Sequence, residues 1–270
     1  MPDPTPVPVL DVLLPVGRAA LAADPSETDL SRLYAHPAPR AGRTAYVRAN
    51  MVTTLDGAAT GPDHVSGSIN NPADLRVFRV LRAMADVVLI GAGTARAEGY
   101  RALRVPAPLA YARSVRGQHD RIELAVVTAT GSLPPELLAG EHPPLVITVA
   151  SSPGLASLRE LVGADRIIEA GATAVDLPRA LAALAVRGLT RVLAEGGPHL
   201  LADLLAADAI DELCVTTSPL LVGGPAARIV ATDAWLAPVR RARAAHVLHS
   251  EGVLLARWLL DAGQPVAADG

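Results

Sequence analysis

Short apolar runs rich in β-branched residues alternate along the chain with longer segments whose apolar residues recur every three to four positions. The runs fall at 45-AYVRANMVTT-54, 86-DVVLIGA-92, 122-IELAVVTA-129, 144-PLVITVA-150, 166-RIIEA-170, 190-TRVLAE-195 and 211-DELCVTTSPLL-221, each bounded by Gly, Pro, Asp or Ser. Their length and punctuation predict strands. Between them, 71-NPADLRVFRVLRAMA-85 sets Leu75, Phe78, Val80, Leu81 and Met84 toward one face, with Arg76, Arg79 and Arg82 elsewhere, which predicts a helix. Asn71 reads as its N-cap, with Pro72 at the first helical position. Further helices are predicted near 154–162, 176–187 and 197–206. Repeated strand–helix–strand units predict an α/β fold with a mostly parallel, helix-covered sheet. The tail 243-RAAHVLHSEGVLLARWLL-260 breaks the alternation, and its 250-SEG-252 turn predicts a C-terminal antiparallel hairpin at one sheet edge. Residues 1–43, rich in Pro, Ala and Asp with one amphipathic patch at 27–37, predict an arm packed on a main domain spanning 44–270.

Composition then removes whole classes of function. Half of the 270 residues are hydrophobic, a fifth are charged and the net charge is −3, which predicts a soluble globular protein. No basic run points to nucleic acid or an anionic membrane surface, and no apolar run approaches the roughly 20 residues of a membrane span. The N-terminal stretch has prolines and acids but no basic n-region, so it does not read as a signal peptide, and the expected compartment is the cytoplasm. The single cysteine, Cys214, lies in an apolar run; it predicts a buried thiol and excludes intrachain disulfides and a Cys-rich zinc site. The chain contains no lysine, which excludes lysine Schiff-base chemistry, pyridoxal phosphate and a Walker-A loop.

Three segments can carry chemistry. In 195-EGGPHLLADLL-205 a buried strand meets Gly196 and Gly197 before a helix opening near Pro198. Glycines permit close approach of a ligand, and the helix start favours an anion, so this turn is a candidate phosphate or pyrophosphate site with Glu195 facing a second, polar ligand. In 86-DVVLIGAGTARAEG-99 a second buried strand runs into Gly91, Gly93 and a short helix at Thr94. A full dinucleotide fingerprint would need a third glycine and an acid ending the next strand. Ala97 stands at the former position, and the strand over 122–129 lacks the latter, although Thr128, Thr130 and Ser132 offer hydroxyls for a 2′-phosphate. In 50-NMVTTLDGAAT-60, continuing through 64-HVSGSINNP-72, a strand delivers Thr53, Thr54 and Asp56 to a polar loop of the kind that binds ligands in α/β folds. Arg82, among apolar residues of the next helix, reads equally as a surface arginine or a phosphate clamp. The overall pattern permits a dihydrofolate-reductase-like sheet or a Rossmann variant.

In order and spacing, TLDG, SINNPADLRVFRVLRAMADVVLIGAGT and VLAEGGPHLLADLLAADAIDELCVTTSPLLVGG resemble the bacterial riboflavin-biosynthesis pyrimidine reductase family over residues 44–260. This is the reductase half of the bifunctional deaminase/reductase, together with its stand-alone relatives. The resemblance implies a dihydrofolate-reductase-like fold, NADPH, a homodimer and reduction of the ribosyl group of 5-amino-6-(5-phosphoribosylamino)uracil at C1′. It implies Gly91, Gly93, Thr94, Glu98, Thr128, Gly196 and Gly197 for the cofactor, and Thr54, Asp56, Ser66, Arg82 and Glu195 for a phosphorylated substrate. Asp56 and Glu195 are the acids expected to meet in one cleft and serve catalysis, with Asp56 the nearer to the reacting carbon. Two departures stand out: Ser68 replaces a tryptophan found in some relatives, and 99-GYRALRV-105 lacks an Asp-Pro-x-Leu-Thr ending. The zinc-deaminase signature is absent. The competing readings are the same scaffold reducing a pterin, a dihydrofolate-like compound or a natural-product intermediate, and a nucleotide-binding module without catalysis.

Overall fold

The computed structural model describes residues 7–100 and 103–261. Its strands are β1 (Asp11–Leu14), β2 (Tyr46–Thr54), β3 (Val87–Gly91), β4 (Glu123–Val127), β5 (Leu145–Thr148), β6 (Ile167–Glu169), β7 (Arg191–Ala194), β8 (Glu212–Ser218), β9 (Ala242–Ser250) and β10 (Val253–Leu260). They form one ten-stranded sheet in the order β1-β9-β10-β8-β2-β7-β3-β4-β5-β6. Pairings from β8 to β6 are parallel, whereas β8–β10, β10–β9 and β9–β1 are antiparallel. The helices are α1 (Thr28–Leu33), α2 (Pro72–Met84), α3 (Ala92–Ala97), α4 (Ala107–Val115), α5 (Pro135–Leu138), α6 (Leu155–Val162), α7 (Leu177–Val186) and α8 (Pro198–Ala206). The expected α/β sheet with its C-terminal hairpin is the one observed. Periodicity did not announce α4, α5 or the edge strand β1, which are short or interrupted by proline.

The central strands are apolar on both faces because helices cover both. In β3, Val87 and Leu89 enter one core with Val47, Ile147, Val192 and Leu204. Val88 and Ile90 enter the other with Val80, Leu81, Val126 and Leu193. This is the two-sided burial of a parallel sheet, which reads in sequence as a continuous apolar run. Cys214 is buried in the second core, and burial pushes its thiol up to about 12.

Helix α2 obeys its predicted cap: Asn71 Oδ1 accepts from the Asp74 amide at 2.9 Å. Its facing differs from the expectation in two places, since Leu75 is exposed and Arg76 is buried. Arg76 is buried because the N-terminal segment wraps it. Its guanidinium bonds Glu27 through both carboxylate oxygens at 2.8 and 2.7 Å and donates to the carbonyls of Pro8, Leu21 and Ala22. A second buried group ties the same segment to the sheet. Glu212 is fully buried and accepts from Arg48, from Tyr46 Oη at 2.6 Å and from Arg257 at 2.8 and 2.5 Å. Arg48 and Arg257 donate onward to the carbonyls of Tyr34 and Leu33 at the end of α1. Burial alone would raise the Glu212 carboxyl, but the charges of Arg48 and Arg257 prevail and hold it below the usual carboxylate range. Residues 101–102 of the divergent 99–105 stretch, and 262–270 at the end of the expected main domain, lie outside the described residues. No described helix is long and apolar enough to cross a membrane.

Candidate active site

Strands β2, β7 and β3 are parallel neighbours, and their carboxyl ends open onto a cleft of about 750 Å³. Open α/β sheets bind ligands at this end, where backbone leaving the strands diverges. The two glycine turns are stitched together there. The Gly91 amide donates to the Gly196 carbonyl at 2.9 Å, and the Glu195 amide donates to Leu89 at 3.0 Å.

Glycine is demanded at this junction by space and by torsion. Gly196 has φ +88°, and a Cβ there would meet Met51 Sδ at 3.2 Å. A Cβ on Gly197 would meet Thr94 Oγ1 at 2.8 Å, whereas at Gly93 it would meet nothing within 4 Å. The Gly196–Gly197 peptide is cis. Pro198 then opens α8, whose first amides have no intrahelical partner and carry the positive end of the helix dipole. The junction is therefore a side-chain-free cradle suited to a dinucleotide's phosphates. Gly197→Val is expected to drive side-chain atoms into Thr94 and the cradle and so to weaken any dinucleotide binding there at least tenfold. Fluorescence titration of NADPH checks this, and unchanged affinity would remove Gly197 from the cradle.

The opposite wall is built by α2. Asp74, Phe78 and Arg82 recur at four-residue spacing and line the cleft together. Arg82 forms a two-point pair with Glu195, Nε to Oε1 at 2.7 Å and Nη2 to Oε2 at 2.6 Å. Tyr100 Oη donates to Glu195 Oε2 at 2.6 Å, and the guanidinium stacks 4.1 Å from the Phe78 ring centroid. Burial would lower the Arg82 pKa, but its bond to Glu195 and that residue's charge outweigh burial and raise it. Burial, reinforced by the Glu195 charge, keeps the Tyr100 phenol well above its ordinary value. Arg82 is thus neither a surface arginine nor an unengaged clamp: its guanidinium is held flat against the cleft wall.

Of the sequence-predicted residues, Gly91, Gly93, Thr94, Glu98, Ser66, Arg82, Glu195 and Gly197 line the cleft. Glu98 spans its mouth, accepting the Ser66 amide at 2.8 Å. Gly196 lies immediately behind, in the junction. Thr128, just after β4, is buried and does not line the cleft; its Oγ1 accepts from the Gly131 amide at 3.0 Å in the turn. Asp56 is the correction. It is exposed and does not line the cleft, so it does not meet Glu195 there. Its carboxylate instead accepts the amides of Val222 and Gly223 at 3.1 and 2.6 Å and the Thr54 hydroxyl. These bonds, that of Thr54 foremost, hold it below the usual carboxylate range. Thr54 is buried and bonds the same turn, so both residues shape the loop rather than face a ligand. Ser68, which replaces the tryptophan, is exposed and bonds Asp63 at 2.7 Å. Sequence reasoning missed Asn50, Asn70, Asp74, Tyr100 and Arg104 of the lining. Only Asp74 was detectable, by its spacing from Phe78 and Arg82.

The fold and this cleft define an oxidoreductase of the pyrimidine-reductase class. The chain belongs to the RibD C-terminal domain family, whose match spans residues 45–254. It is 32% identical over 187 residues to the 2,5-diamino-6-ribosylamino-4(3H)-pyrimidinone 5′-phosphate reductase of Methanothermobacter thermautotrophicus, covering 68% of this chain and 82% of that protein. The protein of the same name from Archaeoglobus fulgidus is 28% identical over 181 residues, covering 66% and 82% of the respective chains. In fold, the chain is similar to a pyrimidine reductase-like protein from Corynebacterium diphtheriae, with a TM-score of 0.73 at 24% identity over 86% of this chain and 98% of that one.

Proposed function

We propose that this chain is an NADPH-dependent reductase that converts the ribosyl group of a 6-ribosylaminopyrimidine 5′-phosphate into a ribityl chain. The substrate is 5-amino-6-(5-phosphoribosylamino)uracil or its 2-amino counterpart, for which the two archaeal relatives are named. The observation carrying this reading is the junction of the side-chain-free Gly91–Gly93 and Gly196–Gly197 cradle with the Arg82–Glu195–Tyr100 wall in one cleft. Gly91, Gly93, Thr94, Glu98, Thr128, Gly196 and Gly197 would hold NADPH. The exposed Arg96 beside the loop after β4, its Nη1 3.0 Å from the Ser132 carbonyl, favours a cofactor carrying a 2′-phosphate. When bound, the reduced nicotinamide supplies the hydride that C1′ receives.

The chain's own residues do the rest. Arg104 on the cleft lining would meet the substrate phosphate, Arg82, whose charge Glu195 balances, would offer its remaining N–H donors, and Ser66 presents a hydroxyl at the rim. Glu195 keeps the Arg82 fork oriented and, with Tyr100, fixes the wall against which the ribose lies. Asp56 and Thr54 act at one remove by holding the loop that closes β2. A homodimer follows from the family resemblance, and light scattering tests it.

The test is NADPH oxidation with each of the two pyrimidines. Turnover of either one is expected, with kcat/KM for NADH at least tenfold lower. Tight NADPH binding without turnover of either compound would transfer the scaffold to another reduction, such as that of a pterin, or to a module without catalysis.

A further inference from the structure

Four acids line the cleft among the described residues: Asp74, Glu98, Glu195 and Asp203. Reduction of a ribosylamine requires one of them, or solvent, to deliver a proton as the sugar ring opens. Glu195 has both oxygens bound to Arg82 and a third contact from Tyr100. Glu98 bridges to Ser66, and Asp203 is exposed on α8. Asp74 differs from all three. It is 3% exposed, has no ion-pair partner among the described residues and faces the cleft from the first turn of α2 beside Phe78.

The groups around Asp74 keep it oriented without neutralising it. The Thr216 hydroxyl from β8 donates to Oδ1, and the Asn70 side chain also favours the charged form. The other ionisable groups facing it are Glu195 at the end of β7 and the Cys214 thiol of β8, whose own pKa Asp74 helps to raise. Glu195 has Arg82 as its counter-charge, whereas no cation is bonded to Asp74 among the described residues. Burial foremost, with the Glu195 charge in support and the Thr216 bond and the Asn70 amide opposing, lifts the Asp74 carboxyl to about 6. A carboxylic acid that holds its proton up to about pH 6 inside a ligand cleft is equipped as a general acid.

We infer that Asp74 is the proton donor of the cleft. Resting on the proposed function, the step is as follows. The C1′–O4′ bond of the ribosylamine breaks and its electron pair passes to O4′, which takes the Asp74 proton. The lone pair of the attached nitrogen forms the C1′=N bond. C1′ then accepts hydride from reduced nicotinamide, and the C=N electron pair returns to nitrogen. Asp74 is reprotonated from water when product leaves, so one proton and one hydride are consumed per turnover.

The test joins a titration that needs neither cofactor nor substrate to a kinetic comparison. In protein labelled with ¹³C at aspartate carboxyls, the signal absent from Asp74→Asn should titrate near 6, and Thr216→Val should move it upward by removing a bond to the carboxylate. A signal titrating near 4, or unmoved by Thr216→Val, overturns the proposal. Wild-type kcat/KM should fall as pH rises through about 6, and in Thr216→Val that limb should shift alkaline. Asp74→Asn should lower kcat by about a hundredfold or more and flatten the profile, with NADPH affinity unchanged. Should kcat stay within threefold of wild type, or the whole loss appear in KM, Asp74 is not the donor. Should Asp74→Asn fail to fold, Thr216→Val alone decides. A wild-type enzyme inactive on both pyrimidines contradicts the substrate reading, while the carboxyl titration still decides whether Asp74 holds a proton for the cleft.

Discussion

Glu195→Ala is expected to lower kcat/KM for the pyrimidine substrate about a hundredfold and to destabilise the protein by about 2–4 kcal/mol. Glu195 is nearly inaccessible, with a side-chain exposure of 3%, and it accepts three hydrogen bonds. Its removal leaves an Arg82 guanidinium that is only 25% exposed without its counter-charge, and a half-buried Tyr100 hydroxyl without an acceptor. The remaining exposure of Arg82 sets the stability loss toward the lower part of the range for a broken buried pair. The catalytic loss is the larger effect, because the unpaired fork can swing from the wall that orients the substrate. Urea denaturation and steady-state kinetics read the two effects separately. Arg82→Lys should restore little, since a point charge cannot reproduce a two-point pair. The Arg82→Ala/Glu195→Ala double variant should be scarcely worse than either single one. Strict additivity, or a Glu195→Ala enzyme within threefold of wild type, would show that the two residues do not act as a unit.

Glu212→Ala should have the greater effect on stability, on the order of 5 kcal/mol. One fully buried carboxylate serves Arg48, Arg257 and Tyr46, so deleting it strands two guanidinium groups in the protein interior. That loss approaches the roughly 5–15 kcal/mol by which whole domains are stable, and the variant should accumulate mainly as insoluble chain. Because Arg48 and Arg257 also hold the carbonyls of Tyr34 and Leu33, the N-terminal segment should loosen first. Amide exchange around residues 27–36 in the milder Glu212→Gln variant would report this. A Glu212→Ala protein that melts within a few degrees of wild type would mean that water or rearranged carbonyls satisfy both arginines.

Both effects rest on polar groups whose partners are remote in sequence, and this is where reading the chain reached its limit. The glycine junction was legible because torsion and close approach leave a local signature: an apolar run, two glycines, then a helix opening at proline. The cap at Asn71 and the hairpin turn at 250–252 are local in the same sense. Asp56 misled for the same reason: Asp-Gly at a strand end looks the same whether its carboxylate faces a ligand or, as here, caps the amides of Val222 and Gly223. Arg76 misled because helical periodicity assigns an arginine to solvent, whereas five hydrogen bonds from the wrapped N-terminal segment satisfy its donors in the interior.

Residue pattern alone was thus sufficient for the α/β class, the parallel core, the antiparallel C-terminal hairpin, and the two glycine turns that meet at the cleft. Each follows from periodicity or backbone permissiveness within a dozen residues. Tertiary structure decided which charges meet. It paired Arg82 with Glu195 across 113 positions of sequence, drew Arg48 and Arg257 onto Glu212, and left Asp74 buried at the cleft with a hydroxyl for company and no cation. Electrostatic roles depend on distance and burial in space, and those are set only when the sheet brings β2, β7 and β8 side by side beneath α2.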